Sequence, residues 1–200
     1  MRFRIGAVDL GVPPNKANKT STDKASGHPP QVHLLERWDA AFVGEQPGDQ
    51  EDRQGRPFVG PAGQLLDRAM SDAGIDRHRV YVTNAIKHFK FEQRGKRRIH
   101  QKPTAGEVKH YRWWLDQELR LVHPKLVVAL GATAILALAG KPLPIAKFRG
   151  RAEFDGRAGF ITVHPSYLLR VPDRTAKEQA YREFVKDLQS IRRIASAHEI

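Results

Sequence analysis

Cysteine is absent from the 200-residue chain. Its absence excludes disulfides, zinc sites built on thiolates, cysteine nucleophiles and cysteine-ligated iron–sulfur clusters, and we expect no cofactor. Long hydrophobic runs are also missing, because no apolar stretch approaches the ~20 residues that span a bilayer. The opening residues 1–4 (MRFR) lack the layout of a secretory signal. Together these features predict a cytoplasmic protein without a membrane partner.

Acidic residues are scarce relative to basic ones, with 22 Asp and Glu against 34 Lys and Arg, which gives a formal net charge of +12. A charge of this size on a small domain favours a polyanionic partner, because each neutralised phosphate releases condensed counterions. Composition alone leaves a second interpretation open, a generically basic protein from an arginine-rich proteome. The hydrophobic content of 40% is typical of a globular chain.

Residues 1–31 are polar and contain turn-forming pairs such as Pro13-Pro14 and Pro29-Pro30, without a sustained hydrophobic period. This composition predicts a flexible N-terminal tail. Residues 32–200 contain no internal repeat. We predict that they form one domain, since their length suits a single hydrophobic core.

Four short apolar runs are typical of strands that are covered on both faces, as in a parallel sheet. They are residues 40–43, 80–83, 126–130 and 160–163. Helical patterns lie between and after them: residues 104–107 (TAGE) form a capping box ahead of one helix, and an apolar stripe over residues 181–191 marks another. Alternating strands and helices predict a three-layer α/β/α fold with a central four-stranded parallel sheet.

Unusual polar residues collect where three of these strands end, in residues 44–52, 84–89 and 164–170. Ligands of open α/β sheets bind in the crevice beyond the carboxyl ends of the strands. Taken singly, Glu45 is explained as a solvated loop residue, Asn84 as a turn cap and His164 as a structural histidine. Their joint placement favours a functional site at this edge of the sheet.

A second cluster, residues 87–102, carries seven basic side chains against a single acid, Glu92, with Phe89 and Phe91 interleaved. Charge combined with aromatic rings in a loop is suited to phosphate contact and base stacking. The alternative interpretation is a solvated run of charge. His100 lies near the end of this predicted loop.

Five motifs follow one another along residues 40–188: they are residues 44–49 (GEQPGD), 57–63 (PFVGPAG), 82–84 (VTN) with 87–89 (KHF), 96–100 (KRRIH) and 164–166 (HPS). In this order they closely resemble the uracil-DNA glycosylase superfamily. The insertion that ends in KRRIH resembles the UdgX type, which binds uracil-DNA covalently and is similar to the family 4 glycosylases. Ordinary members of the superfamily lack this insertion.

The resemblance implies cleavage of the bond between uracil and deoxyribose after the nucleotide has been flipped out of the DNA stack. Phe58 would stack on the uracil ring, and Asn84 would bind the base edge and discriminate uracil from cytosine. Gln46 and Asp52 would line the pocket. His164 would donate a hydrogen bond toward the uracil carbonyl and stabilise the charge that develops on the leaving base.

The resemblance also implies that His100 is a nucleophile. Glu45 would stabilise the oxocarbenium-like sugar and keep His100 neutral by accepting a proton, since a neutral imidazole nitrogen is a competent nucleophile. The bond between His100 and the sugar would persist, so the protein would turn over once. Five side chains on two sides of the site would contact DNA phosphates: Lys96, Arg97, Arg98, Ser166 and Arg170.

The resemblance breaks down at the cofactor, because proteins of this type hold an iron–sulfur cluster through cysteines and this chain has none. Tyr111 stands where one of those cysteines would be. We expect packing by Tyr111, Trp113 and Trp114 to replace the cluster, because aromatic side chains bury large areas. The alternative is a region that is less stable than in the relatives.

The implied partner is uracil-containing DNA, preferably single-stranded, with free uracil as the product and a monomer as the active form. Two other functions are compatible with the sequence. One is a turnover glycosylase of the same fold whose basic loop only binds DNA. The other is a non-catalytic nucleic-acid-binding module with a decayed site, which is disfavoured because Glu45, Asn84, His100 and His164 are all present.

Overall fold

The computed structural model describes residues 38–197. The tail predicted for residues 1–31 lies outside the described residues. Strands and helices follow in this order: β1 (Ala40–Gly44), α1 (Asp49–Gln54), α2 (Pro61–Asp72), β2 (Val80–Asn84), β3 (Phe91–Arg94), β4 (Arg97–His100), α3 (Ala105–Val122), β5 (Leu126–Leu130), α4 (Ala132–Ala139), α5 (Ile145–Phe148), β6 (Gly150–Phe154), β7 (Arg157–Thr162), α6 (Pro165–Arg170) and α7 (Arg174–Ser196). Within residues 38–197, no helix combines the length and apolar character needed to cross a membrane.

The central sheet has five strands in the order β2-β1-β5-β7-β6. The four strands predicted from apolar runs are β1, β2, β5 and β7, and each pairs in parallel with its neighbours among them. The predicted α/β fold with a parallel core is therefore confirmed. The predicted number of strands is corrected, because β6 adds to the edge of the sheet antiparallel to β7.

Strand β6 escapes the apolar pattern because only its last residue, Phe154, is buried. Asp155 and Gly156 join β6 to β7 and have φ angles of 49° and 77°. Positive φ at both central residues is the conformation of a type I′ hairpin turn, for which Asp-Gly is a favoured pair. This dipeptide was the signal in the sequence that could have revealed the fifth strand.

Two hydrophobic clusters lie on opposite faces of the sheet and create the three layers. Phe42 and Val128 point to the face that is covered by α2, α6 and α7. Val43 follows Phe42 and Val127 precedes Val128, and these two side chains point to the face that is covered by α3 and α4. Because successive strand residues point to opposite faces, strands with both faces covered need continuous apolar runs.

Helix α3 begins where the capping box predicts. The Thr104 hydroxyl accepts a hydrogen bond from the backbone N–H of Glu107 at 3.3 Å, and the Glu107 carboxylate accepts one from the backbone N–H of Thr104 at 2.7 Å. These two bonds satisfy amide groups that have no partner within the helix. The same carboxylate accepts a hydrogen bond from Lys90 at 2.7 Å. The start of α3 is thereby tied to the segment that leads into β3.

The segment predicted as a basic loop contains a two-stranded antiparallel hairpin, β3-β4. Gly95 makes the turn with a φ of 58°, in the left-handed region that glycine adopts at low cost. All but one of the strand residues are exposed, so no apolar alternation announces the hairpin in the sequence. The pairing places His100 opposite Phe91. The candidate nucleophile therefore lies in a strand rather than in an irregular loop.

Candidate active site

The polar clusters predicted at the strand ends meet at one edge of the sheet. Gly44, the last residue of β1, pairs in register with Asn84, the last residue of β2. The pairing continues beyond the strands, since the backbone N–H of Ile86 donates to the carbonyl of Glu45 at 2.9 Å. On the other side of β1, the N–H of Gly131 donates to the carbonyl of Thr162 at 3.0 Å. Backbone bonds thus fix the positions from which the site residues project.

The Phe58 ring and the Asn84 amide both lie directly against Gly44 at the end of β1. A Cβ atom added to Gly44 would lie 2.6 Å from both Phe58 Cζ and Asn84 Oδ1. Only glycine at this position lets these two side chains approach the strand end. Phe58 is 8% exposed and Asn84 is 5% exposed. An aromatic ring and an amide, both buried, therefore lie side by side at the end of β1.

Phe58 is held in an unusual backbone conformation, with a φ of 55°. Gly63, in the first turn of α2, packs so closely beneath it that an added Cβ would lie 1.7 Å from the Phe58 carbonyl oxygen. A non-glycine residue in the left-handed region costs free energy and persists where the surrounding structure enforces it. The close packing of α2 therefore fixes the position of the Phe58 ring.

Glu45 lies between two hydrogen-bond donors. Its Oε1 is 3.2 Å from Nε2 of His100, and its Oε2 accepts a hydrogen bond from the Thr133 hydroxyl at 2.6 Å. Burial raises the pKa of Glu45, but the hydrogen bonds from His100 and Thr133 lower it by more. The net shift is downward, so Glu45 is a carboxylate near neutral pH.

His164 is a neutral imidazole. Burial lowers its pKa to about 4; the negative charge of Glu45 opposes this shift, and the positive charge of Arg170 adds to it. Its Nδ1 accepts a hydrogen bond from the backbone N–H of Ser166 at 3.2 Å. Because Nδ1 is an acceptor, the ring proton is on Nε2. His164 therefore offers an N–H donor that carries no charge.

The candidate phosphate-binding residues divide into exposed and bonded side chains. Lys96 and Arg97 are exposed at the tip of the hairpin, where phosphate could reach them. Ser166 accepts a hydrogen bond from Arg170 at 3.3 Å and contacts His164 Nδ1 through its hydroxyl at 2.8 Å. Beyond any contact with DNA, Ser166 and Arg170 thus support the His164 ring, a role that their spacing does not reveal.

Arg98 and Asp52, which are predicted to contact phosphate and uracil, are bonded to each other in the protein without DNA. The Arg98 guanidinium forms ion pairs with Asp52 and Asp49 of α1. It also lies over the rings of Phe89 and Phe91, with centroid distances of 5.2 and 5.1 Å. A planar cation suits both contacts, ion pairing at its edge and stacking on its face. In this structure Arg98 therefore fastens the hairpin to α1.

The Gln46 side chain, a predicted part of the uracil pocket, is bonded to the base of the hairpin. Its amide nitrogen donates to the carbonyl of Gln101 at 3.0 Å, and its oxygen accepts from the backbone N–H of Lys90 at 3.3 Å. Lys90 and Gln101 flank the two strands of the hairpin. Gln46 is 8% exposed, so these bonds are shielded from water. The residue next to Glu45 thus ties down the strand pair that carries His100.

Lys87 belongs to the basic segment of residues 87–102, but its side chain is largely buried beneath the site. Its ammonium group donates to the Asn84 carbonyl and to the Glu118 carboxylate, each at 2.7 Å, and to the Thr83 hydroxyl at 3.0 Å. Burial lowers the pKa of Lys87, although the charge and the hydrogen bond of Glu118 oppose the shift. All three ammonium protons have acceptors. Lys87 therefore supports the backbone of Asn84 and is not available for phosphate.

The expected aromatic replacement for an iron–sulfur cluster is wrong for two of its three residues. Trp113 is 59% exposed and Trp114 is 47% exposed, so neither fills an interior space. Tyr111, a residue of α3, does pack against the core, and its hydroxyl lies 3.1 Å from Nδ1 of His88. A chain without cysteine cannot supply thiolate ligands, and the Tyr111–His88 bond occupies this part of the molecule. The residues present do not fit a cysteine-ligated cluster.

We expect replacement of Tyr111 to destabilise the domain more than replacement of Trp113. Trp113→Ser should change the free energy of unfolding by less than about 0.5 kcal/mol, because the side chain is mostly exposed. Tyr111→Phe should cost about 1 kcal/mol, because it leaves the His88 ring nitrogen without its partner. Urea unfolding followed by circular dichroism measures both changes. A larger loss for Trp113→Ser than for Tyr111→Phe would contradict the assignment.

Comparison with known proteins adds a family context to this geometry. The Uracil DNA glycosylase superfamily matches residues 36–189. The chain is 40% identical over 132 residues to a type-4 uracil-DNA glycosylase of Thermotoga maritima, which is 64% of this chain and 65% of that protein. It is 36% identical over 157 residues to a type-4 uracil-DNA glycosylase of Pyrobaculum aerophilum, which is 74% of this chain and 73% of that protein. The aligned stretch thus spans slightly under two thirds of the Thermotoga protein.

Proposed function

We propose that this chain, which belongs to the uracil-DNA glycosylase superfamily, excises uracil from DNA and then bonds covalently to the deoxyribose through His100. The names of the type-4 relatives support uracil in DNA as the substrate. One contact carries the covalent step: Glu45 Oε1 lies 3.2 Å from His100 Nε2. That contact brings a half-exposed imidazole to an ionised carboxylate at the mouth of the site.

Phe58 and Asn84 would recognise the base. A uracil bound at the end of β1 would meet the Phe58 ring on its face and the Asn84 amide at its edge. An amide offers one acceptor and two donors, which complement the N3–H and the O4 of uracil. Both side chains are buried, so water does not compete for these bonds. This pair of side chains is therefore suited to a flipped-out planar base.

Glu45 and His164 would assist the bond-breaking step by stabilising the two opposite charges that develop as the bond breaks. The bond between C1′ and N1 breaks, and its electron pair leaves with the uracil ring. His164 would donate its Nε2–H to a uracil carbonyl and stabilise the negative charge. It is already neutral, so it needs to gain no proton before it acts. The Glu45 carboxylate would stabilise the positive charge that remains on the sugar.

His100 would then capture the sugar cation. A lone pair of the imidazole forms the bond to C1′, and the ring takes up the positive charge. Glu45 neutralises this charge, either as an ion pair or by accepting the ring proton that faces it. An N-alkylated imidazole is a poor leaving group, so water would not release the protein. We therefore propose a single turnover that ends in a stable adduct.

The hairpin would bring phosphates and nucleophile to the site together. Lys96 and Arg97 project from its tip, while Arg98 and Gln46 fix its strands and its base. We propose single-stranded DNA as the preferred partner, because an unpaired nucleotide flips without the cost of breaking a base pair. The family match over residues 36–189 supports a single domain within residues 32–200. We further propose that the protein acts in the cytoplasm as a monomer.

Binding to DNA should weaken with salt in a way that depends on the hairpin tip. Lys96→Ala should reduce the slope of log K against log salt by about 0.7, the value for one phosphate contact on a single strand. Lys186→Ala, an exposed lysine in α7, should leave the slope unchanged. Fluorescence anisotropy with a uracil-free oligonucleotide measures both slopes. Equal losses in the two variants would indicate general charge attraction and contradict a specific contact.

A denaturing gel distinguishes the proposed function from its alternatives. The full chain is incubated with single-stranded DNA that contains one uracil, and a thymine oligonucleotide serves as the control. A band of lower mobility that resists boiling in detergent supports the adduct. An abasic product without a shifted band would instead make the protein a turnover glycosylase. The absence of both products would make it a binding module without catalysis.

A further inference from the structure

Thr133 is a buried side chain that contacts the central carboxylate of the site. It is 5% exposed and lies in the first turn of α4, directly after the end of β5. Its hydroxyl is 2.6 Å from Glu45 Oε2. An ionised carboxylate can only accept hydrogen bonds, so the hydroxyl must be the donor. The single proton of Thr133 therefore occupies one oxygen of Glu45 and leaves the other for His100.

We propose that Thr133 is a positioning residue for Glu45: its hydroxyl fixes Oε2 so that Oε1 faces the His100 ring. This inference rests on the proposed function, in which Oε1 of Glu45 interacts with His100 during the reaction. A carboxylate held at only one oxygen rotates about its terminal torsion, and that torsion has no sharp minimum. With Thr133 in place, Glu45 would meet both the sugar and His100 without reorganising during the reaction.

The close fit around α4 supports the proposal independently. Gly131, which precedes α4, has a φ of 87°, and a Cβ added there would lie 3.0 Å from the Cβ of His164. The turn that presents Thr133 to Glu45 is therefore packed against the residue that would assist uracil departure. The titratable groups that act on Glu45 come from two further elements, His100 on β4 and His164 ahead of α6. Thr133 contributes a donor whose strength does not change with pH.

Titration of the Glu45 carboxyl carbon by NMR tests the proposal in the DNA-free protein. Thr133 lowers the pKa of Glu45 by bonding only to its charged form, so Thr133→Val should raise that pKa by about one unit. Thr133→Ser keeps the hydroxyl and should restore the original value. Tyr181→Phe removes another hydroxyl-to-carboxylate bond, the one to Asp72 between α7 and α2, and should not move the pKa of Glu45. An unshifted Glu45 in Thr133→Val would overturn the proposal.

Adduct formation gives the second readout. At pH 7.5, Thr133→Val should slow the adduct rate by about tenfold, the effect of one lost hydrogen bond to a charge, while Thr133→Ser stays near the parent rate. Tyr181→Phe should leave the adduct rate unchanged. Equal slowing by Thr133→Ser, or by Tyr181→Phe, would show a merely structural role. If the parent protein forms no adduct, the proposed function fails, whereas the titration still decides the role of Thr133.

Discussion

His100→Ser should abolish the denaturant-resistant band and leave uracil release in place. Bond breaking depends on Glu45 and His164, which stabilise the two separating charges, and neither residue is altered. Serine removes the imidazole and opens space through which water can reach C1′. The variant should therefore release uracil over several turnovers and produce an abasic site. Denaturing gels report the adduct, and cleavage of the abasic strand by alkali reports excision.

His78→Ser provides the matched control for this variant. His78 is an exposed histidine in the short turn before β2, at the opposite end of the strands from the site. Its replacement should leave both the adduct and uracil release at the parent level. An adduct that survives in His100→Ser would show that another side chain is the nucleophile. Loss of both activities would show that His100 is needed for bond breaking itself.

The parallel core could be predicted from the sequence because burial on both faces demands continuous apolar runs. The strand ends could be predicted as a site for a related reason, since parallel strands bring their carboxyl ends to one edge. Strand β6 and the β3-β4 hairpin were missed because most of their residues are exposed. Exposed strands are held by backbone hydrogen bonds and turn geometry. In the sequence, these are visible only as short turn signals such as Asp155-Gly156.

The contacts within the site were harder to predict than its location. Resemblance gave Glu45, Asn84 and His100 as candidates, but it did not show that Thr133 shares the carboxylate of Glu45. That contact joins residues 88 positions apart and depends on how α4 follows β5. The interpretation of the charged residues was incomplete for a similar reason. Lys87 belongs to a basic run in the sequence, and only the fold shows that α3 brings Glu118 to it.

Glu45→Gln should lower the rate of adduct formation by about 10²–10³-fold, which is the scale of a lost electrostatic contact with a charged transition state. The glutamine side chain has nearly the same shape and can still accept a hydrogen bond from His100. It has no charge, however, to stabilise the sugar cation or the alkylated imidazole. Single-turnover kinetics on the uracil oligonucleotide measure the loss. Uracil release should slow together with the adduct, because both steps pass through the same cation.

Glu92→Gln is the control that separates this effect from the general loss of a negative charge near the hairpin. Glu92 is an exposed residue of β3, and its carboxylate pairs with Arg94 at 3.1 Å. Its replacement should change the rate less than about twofold, since exposed ion pairs contribute little free energy. A similar loss in both variants would mean that overall charge controls the rate. A Glu45→Gln rate within tenfold of the parent would mean that the carboxylate only orients His100.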